Sequence, residues 1–366
     1  VIGGGQAALA AGYYLRRTAR SFVLLDDQSL PGGAWRHTWS SLHLFSPARH
    51  SSLPGWLMPD TQGYPSRDAA IAYLRDYEAR YAIPVRRPVR VYETHATEHT
   101  TAIATSEAIS GATSDATPAA PSSAHRRRFR LLTSIGDIHT DAVISATGSW
   151  SNPVWPELAG REAFRGACIH SATYEGADAY RDKRVLVIGA GNSGAQIFAD
   201  LLDVAHVTWC VRDVPTFLPD HVDGQYLFEQ GTARYKALQE GRTPDPPRSL
   251  GDIVMVPPVR AARDAGRLQW SPLPQRLTPR GAVWPDGREE PIDAIICATG
   301  FKPALAHLAP ALAPNAKGRL DMDGLHAATQ PHIFPLGYGD WTGFASATLI
   351  GVGRAARAVV EAISAS

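Results

Sequence analysis

The chain has 366 residues, of which 44% are hydrophobic, and its 36 Lys and Arg against 35 Asp and Glu leave a formal net charge of +1. Such a balance sets up no global field for nucleic acid or an anionic membrane, and no apolar run reaches the roughly 18–20 residues that span a bilayer. At about 100–200 residues per domain there is room for two or three packed units, and the expected partners are small molecules, with neither nucleic acid nor membrane among them.

The sequence opens directly on VIGGG, without the basic segment, apolar core and cleavage site of a secretory signal, so the expected compartment is the cytoplasm. The three cysteines, Cys168, Cys210 and Cys297, show no CxxC spacing and no metal-ligand pattern with histidine. Reduced, mostly buried thiols are expected, and no metal site.

In chain order, VIGGG reads as a strand and a glycine turn, followed by a helix through Tyr13 to Leu15 and an apolar strand over 22–25 ending in Asp26. Gly3, Gly5 and Ala8 form GxGxxA, with Gly12 four residues on. Gly3 permits the tight turn, Gly5 admits a pyrophosphate to backbone contact, and the helix N-terminus adds positive partial charge. Asp26 stands 23 residues after Gly3 at a strand end, where a carboxylate accepts the hydroxyls of an adenosine ribose and repels a 2′-phosphate.

A Pro/Gly/Trp-rich loop and an irregular aromatic segment lead to a helix predicted over 66–81, with Ser66 as its N-cap. Strand-like VRRPVRVYE and RRRFRLLTS flank a stretch over about 94–125 that is rich in Thr, Ala, Ser and Pro; it reads as a flexible hairpin insertion. The strand at 142–146 ends at Thr147-Gly148. From Arg184, RVLVIGAGNSGAQIFADLL followed by HVTWCVR gives a second strand, glycine turn, helix and strand. Here Gly189, Gly191 and Gly194 form GxGxxG, and the residue 23 positions after Gly189 is Arg212. A guanidinium fork suits a ribose 2′-phosphate, although Asp213 beside it leaves some tolerance for NADH open. Residues 215–268 read as helical and lid-like. A strand at 293–298 again ends in Thr-Gly, at Thr299-Gly300, and the last segment feeds a terminal helix beginning near Ala345.

The expected architecture is therefore α/β, with two doubly wound Rossmann-like dinucleotide-binding domains, one inserted into the other. Residues 1–155 and 285–366 form an FAD-binding domain, and 156–284 an NADPH-binding domain. Two such loops in one chain bring a nicotinamide and a flavin together for hydride transfer. A disulfide reductase is disfavoured because no cysteine pair is close in sequence.

PGGAW (31–35), FRGACIHSATY (164–174), GNSG (191–194) and ATGF (298–301) resemble class B flavin-containing monooxygenases over almost the whole chain. FRGACIHSATY carries the FxGxxxHxxxY signature through Phe164, Gly166, His170 and Tyr174, with Glu175 where the family usually has Lys or Pro. Tyrosine at its end favours this branch over the Baeyer–Villiger relatives. SLHLFSPARHSSLPGW, FLPDHVDG, GDIVMVPPV and GYGDWTGFASATLIGV are similar to the arsenic-resistance-associated ArsO type. The resemblance implies FAD, NADPH, O2 and a C4a-hydroperoxyflavin that oxygenates a soft nucleophile, here a trivalent arsenical. It implies FAD contacts from Gln6, Ala7, Gly33, Ala34, Trp35, Val89, Thr147, Gly148 and Asp340, and NADPH contacts from Asn192, Ser193, Thr299 and Gly300. The terminal helix would point its N-terminus at the isoalloxazine. A homodimer is a possible assembly.

Where many relatives carry Asn-x-Pro beside the flavin, this chain has Phe45-Ser46-Pro47. Protection of the peroxide then falls to bound NADP, backbone groups, His43 or Ser46, so the catalytic candidates are His43, Phe45, Ser46 and His170. Two rival outcomes stay open: an oxidase or flavin reductase releasing H2O2, and oxygenation of sulfur or nitrogen.

Overall fold

The computed structural model describes residues 1–97, 128–243 and 252–365. Five short strands form the first sheet: 85–86, 24–25, Ile2, 143–145 and 333–335, all parallel in that spatial order. Ile2 is the hub, because its N–H donates to the Ile144 carbonyl at 2.8 Å and it bridges both Leu25 and Ser145. Only Leu24–Leu25 of the predicted strand at 22–25 pairs regularly.

Helix α1 (Gln6–Leu15) follows the glycine turn and is buried along most of its length. Its alanines leave no bulk, so it lies between the sheet and the terminal helix. Gly12 makes room for Ile83, whose Cγ2 would stand 2.7 Å from a Cβ there. Helix α2 (Arg67–Arg80) begins where expected, the Ser66 hydroxyl accepting from the Ala69 N–H. Ala70, Tyr73, Leu74 and Tyr77 repeat at helical spacing and form its buried face. The Tyr73 and Tyr77 hydroxyls donate to the Trp56 and Pro54 carbonyls, each at 2.6 Å, and tie down the aromatic loop.

Strands Val91–Ala96, Phe129–Thr133 and Gly136–Thr140 make an antiparallel sheet. The expected insertion over 94–125 therefore begins too early: Thr94 is fully buried in a strand and its hydroxyl donates to the His307 carbonyl. From residue 98 that expectation lies outside the described residues.

The second sheet is parallel, in the order 271–272, 206–211, 184–188, 294–297 and 167–170. This corrects the domain boundary. The strand Ala294–Cys297 sits between 184–188 and 167–170 inside the second sheet, so the inserted domain runs to about residue 298 rather than 284. The chain returns to the first sheet only at Ile333–Pro335. Helix α3 (Asn192–Leu201) follows the second glycine turn, and the lid-like region contains α4 (Gly224–Gln239) and α5 (Pro257–Asp264). The prolines at 244–247 lie outside the described residues.

The terminal helix α6 (Val352–Ala365) begins seven residues after the expected Ala345. Ala345 has φ +55°, and its carbonyl would stand 2.3 Å from a Cβ on Gly351, so this stretch is a tight turn instead. Cys210 and Cys297 are buried, Cys168 is half-buried, and all three are free thiols. Among the described residues no helix is long and apolar enough to cross a membrane.

Candidate functional site

The two glycine turns are built alike. Gly3, at φ +118°, would bring a Cβ within 2.4 Å of the Ala146 carbonyl oxygen; Gly189, at φ +142°, would bring one within 2.2 Å of the Ala298 oxygen. Each turn thus packs on the Ala-Thr-Gly that follows a neighbouring strand, at Thr147-Gly148 and Thr299-Gly300. Gly5 and Gly191 are the N-cap residues of α1 and α3, and no side chain among the described residues caps either helix. Their first-turn N–H groups await an acceptor, and a pyrophosphate is the acceptor that such uncapped glycine-led ends fit. Gly33 lies over the first turn, where a Cβ would stand 2.7 Å from the Gly5 Cα.

The first turn and the start of α3 border one cleft of about 2130 Å³, while Gly189, Gly191, Gly194, Thr299 and Gly300 are not among the residues lining it. Gly3, Gly5, Gln6, Ala7, Asp26, Gly33, Ala34 and Trp35 line it from the first domain, Asn192 and Ser193 from the second, with Val89, Thr147, Gly148 and Asp340 between. The Trp35 indole donates to Gln6 Oε1 at 3.2 Å, and Gln6 Nε2 donates to the Ala347 carbonyl at 2.7 Å. The loop wall is thereby held to the last segment of the chain. The Val89 N–H donates to the Asp26 carbonyl at 2.7 Å.

Asp26 is buried against the first turn, its carboxylate accepting from Arg87 Nε at 2.6 Å. Arg87 in turn donates to both Glu78 oxygens, at 2.6 and 2.7 Å. Burial pushes the Asp26 carboxyl up from its usual range, against the pull of the Arg87 guanidinium. Arg87 and Glu78 were missed in the sequence because neither belongs to a nucleotide motif. Arg212 stands exposed just beyond the strand His206–Val211, the position in the second domain that Asp26 holds in the first, and it is not among the residues lining the cleft.

Asn192 also has a structural role beside the expected cofactor contact. Its amide donates to the Asp252 carbonyl at 3.0 Å and accepts the Val254 N–H at 2.9 Å, so its side chain braces the turn while the residue lines the cleft.

His43, Phe45 and Ser46 line the cleft opposite α4, from which Tyr226, Phe228, Gln230, Ala233 and Ala237 face in. The Phe45 carbonyl accepts the Gly224 N–H at 2.7 Å. The Phe228 and Phe344 rings meet across the cleft with centroids 6.4 Å apart. His50 was also missed: it lines the cleft, its Nδ1 has no partner among the described residues, and its Nε2 is 3.8 Å from Glu229 of α4. A further undetected contact is the His37 ring stacked on Trp150 at 3.6 Å, with Gln28 Oε1 2.7 Å from His37 Nε2.

His170 does not reach the cleft, which corrects its place among the catalytic candidates. It is 1% exposed, wedged edge-on between Trp155 and Phe301, and its Nδ1 accepts the Ala172 N–H at 3.1 Å. Burial lowers its pKa, so it is a neutral brace at the crossing between the domains. Phe164 and Gly166 of the same signature pack on each other, the Phe164 ring standing 2.5 Å from where a Gly166 Cβ would be. Tyr174 is buried and donates to Asp200 Oδ2 at 2.8 Å.

A doubly wound pair of domains sharing one cleft defines a two-dinucleotide oxidoreductase. Two family profiles match the chain: an NAD(P)-binding Rossmann-like domain over residues 1–52 and a pyridine nucleotide-disulphide oxidoreductase over 122–222. The structure is similar to that of a flavin-containing monooxygenase from Stenotrophomonas maltophilia, with 44% sequence identity and a TM-score of 0.83 over 100% of this chain and 97% of that one. It is 27% identical over 335 residues to an indole-3-pyruvate monooxygenase of Oryza sativa subsp. japonica, covering 82% of this chain and 73% of that protein. It is 31% identical over 229 residues to an uncharacterized CzcO-like oxidoreductase of Geobacillus kaustophilus, a match over 62% of this chain that spans only 58% of that relative's length. The chain belongs to the flavin-containing monooxygenase family, whose cofactors are FAD and NADPH.

Proposed function

We propose that this protein is an NADPH-reduced, FAD-dependent monooxygenase that oxygenates a soft nucleophile. The observation that carries the reading is one cleft bordered both by the first glycine turn and by the N-terminal residues of α3, Asn192 and Ser193. Bound FAD supplies electron storage and oxygen activation at its C4a position. The chain's residues do the rest. The α1 turn and the Asp26–Arg87–Glu78 chain hold the adenosine diphosphate end of FAD, and the α3 turn with Arg212 holds NADPH. Trp35, Gln6 and the Ala347 carbonyl orient the wall along the cofactor, and α4 excludes water by landing on Phe45 and Ser46. With no amide at position 45 or 46, the backbone of this wall, Ser46 and His43 are left to hold the proton and water needed at the reacting end.

For the oxygen acceptor we propose a neutral molecule with an accessible lone pair. Phe45, Phe228, Phe344 and Tyr226 give that end of the cleft an aromatic lining. A trivalent arsenical meets this description, and the ArsO-like segments favour it over sulfur or nitrogen compounds. Oxidase behaviour is the second reading, favoured by the missing amide at Phe45-Ser46. The test is turnover of FAD-loaded enzyme with arsenite, methylarsonous acid or methyl phenyl sulfide, quantifying pentavalent arsenic and sulfoxide. Arsenicals coupling better than the sulfide is the expected result. Efficient sulfide oxygenation with inert arsenicals overturns the arsenic assignment and leaves the monooxygenase standing.

A further inference from the structure

Asp200 gathers three segments that no nucleotide motif includes. Its Oδ2 accepts from the Tyr174 hydroxyl and its Oδ1 from the Ser41 hydroxyl, each at 2.8 Å. Tyr174 ends the signature segment, whose strand 167–170 belongs to the second sheet, and Ser41 belongs to the first domain, four residues before Phe45 of the cleft wall. Asp200 itself is on α3, eight residues beyond Asn192 at the uncapped, pyrophosphate-facing end, or about 12 Å along the axis. Trp39 packs edge-on against Tyr174 at 5.9 Å, and the Ser40 N–H donates to the Glu175 carbonyl at 3.3 Å. Burial, reinforced by Asp200, pushes the Tyr174 phenol above its ordinary value, so it stays a proton donor to the carboxylate. The irregular segment 39–45, the signature tyrosine and the nicotinamide-side helix are therefore joined at one side chain.

We propose that Asp200 is a positioning residue for flavin reduction: by clamping Tyr174 and Ser41 it sets the seat of α3, and with it the nicotinamide, against the flavin-facing wall. The inference rests on the reading that NADPH passes a hydride, two electrons and one proton, to FAD and leaves as NADP⁺. A donor and acceptor held in near-attack geometry react much faster than a loosely held pair, while affinity for either cofactor depends on contacts elsewhere. The clamp should thus appear in the rate and not in binding.

The test is anaerobic rapid-mixing reduction of FAD-loaded wild type, Asp200→Ala, Asp200→Asn and Tyr174→Phe over a range of NADPH, with hydrogen exchange of the cofactor-free chains. For Asp200→Ala the limiting reduction rate is expected to fall by about tenfold or more, with NADPH and FAD affinities within about threefold. Exchange should quicken over 39–45 and 171–176. Asp200→Asn should recover most of the rate, since its amide can accept from Tyr174 and donate to Ser41. A wild-type rate in Asp200→Ala, or a loss of NADPH affinity as large as the loss of rate, overturns the clamp. Failure of NADPH to reduce the wild type would sink the parent reading instead, and unchanged exchange in Asp200→Ala would then refute the clamp separately.

Discussion

Gly224 and Phe45 are in backbone contact across the cleft, the N–H of the one donating to the carbonyl of the other at 2.7 Å. A Cβ on Gly224 would stand 1.9 Å from the Ser46 hydroxyl oxygen and 2.8 Å from the Phe45 ring, so α4 lands on this wall only because its first residue has no side chain. Gly224→Ala should lift the lid at a cost of roughly 1–3 kcal/mol of overpacking. The expected outcome is a higher peroxide yield per NADPH in the presence of substrate, with FAD retention unchanged. Peroxide assay and flavin content read both; an unaltered yield would mean that this contact does not seal the cleft.

Arg87 bridges Asp26 and Glu78 with its own side chain only 10% exposed. Replacing it with methionine leaves a buried carboxylate without its cation, a kind of loss that costs about 3–5 kcal/mol. Arg87→Met should unfold earlier and lose FAD on gel filtration, while Asp27→Asn, at an exposed neighbour, should do neither. Thermal denaturation with flavin fluorescence checks this.

Arg212→Ala should weaken NADPH far more than NADH, since a charge-assisted contact contributes roughly 1.5–3 kcal/mol, about tenfold to more than a hundredfold in affinity. Titration of both nucleotides by quenching of intrinsic fluorescence is the check. Equal losses would show that the exposed guanidinium does not read the 2′-phosphate.

His307 is buried with its Nε2 3.0 Å from the Ser145 hydroxyl, and burial lowers its pKa from the ordinary 6.5 to about 4. In the unfolded chain it takes up a proton near pH 6.5, while in the fold it resists until about pH 4. Its contribution is therefore fully present above pH 6.5 and lost as pH falls towards 4, by roughly 3 kcal/mol at most. Urea denaturation from pH 7 to 4 should show a shallower decline for His307→Gln than for the wild type. Parallel profiles would contradict the shift.

Local patterns made much of this legible. Both glycine turns, Asp26 at its strand end and the Ser66 cap follow from backbone conformation and spacing that the sequence prints directly. What pairs with what over long distances was not legible. Strand 294–297 looked like a return to the first domain because both parallel sheets use the same apolar strand ending in Ala-Thr-Gly, and only its neighbours assign it to the second. The apolar GFASATLIGV segment carried no sign that Ala345 would take a positive φ and delay α6. Arg87, His50 and Asp200 reach the site through tertiary contacts, and no motif marks them. Asn192 and His170 were visible as motif residues, but their hydrogen bonds go to the protein backbone.

The central claim is that both cofactors serve one oxygen-transferring cleft, and the most direct measurement is the stoichiometry of aerobic turnover. FAD-loaded enzyme is given limiting NADPH with methylarsonous acid or methyl phenyl sulfide, and NADPH consumed, oxygenated product and H2O2 are counted together. The account predicts close to one oxygenated product per NADPH with at least one of these acceptors, and little peroxide. NADPH left unconsumed, or peroxide formed in equal amount to NADPH with every acceptor, would contradict it.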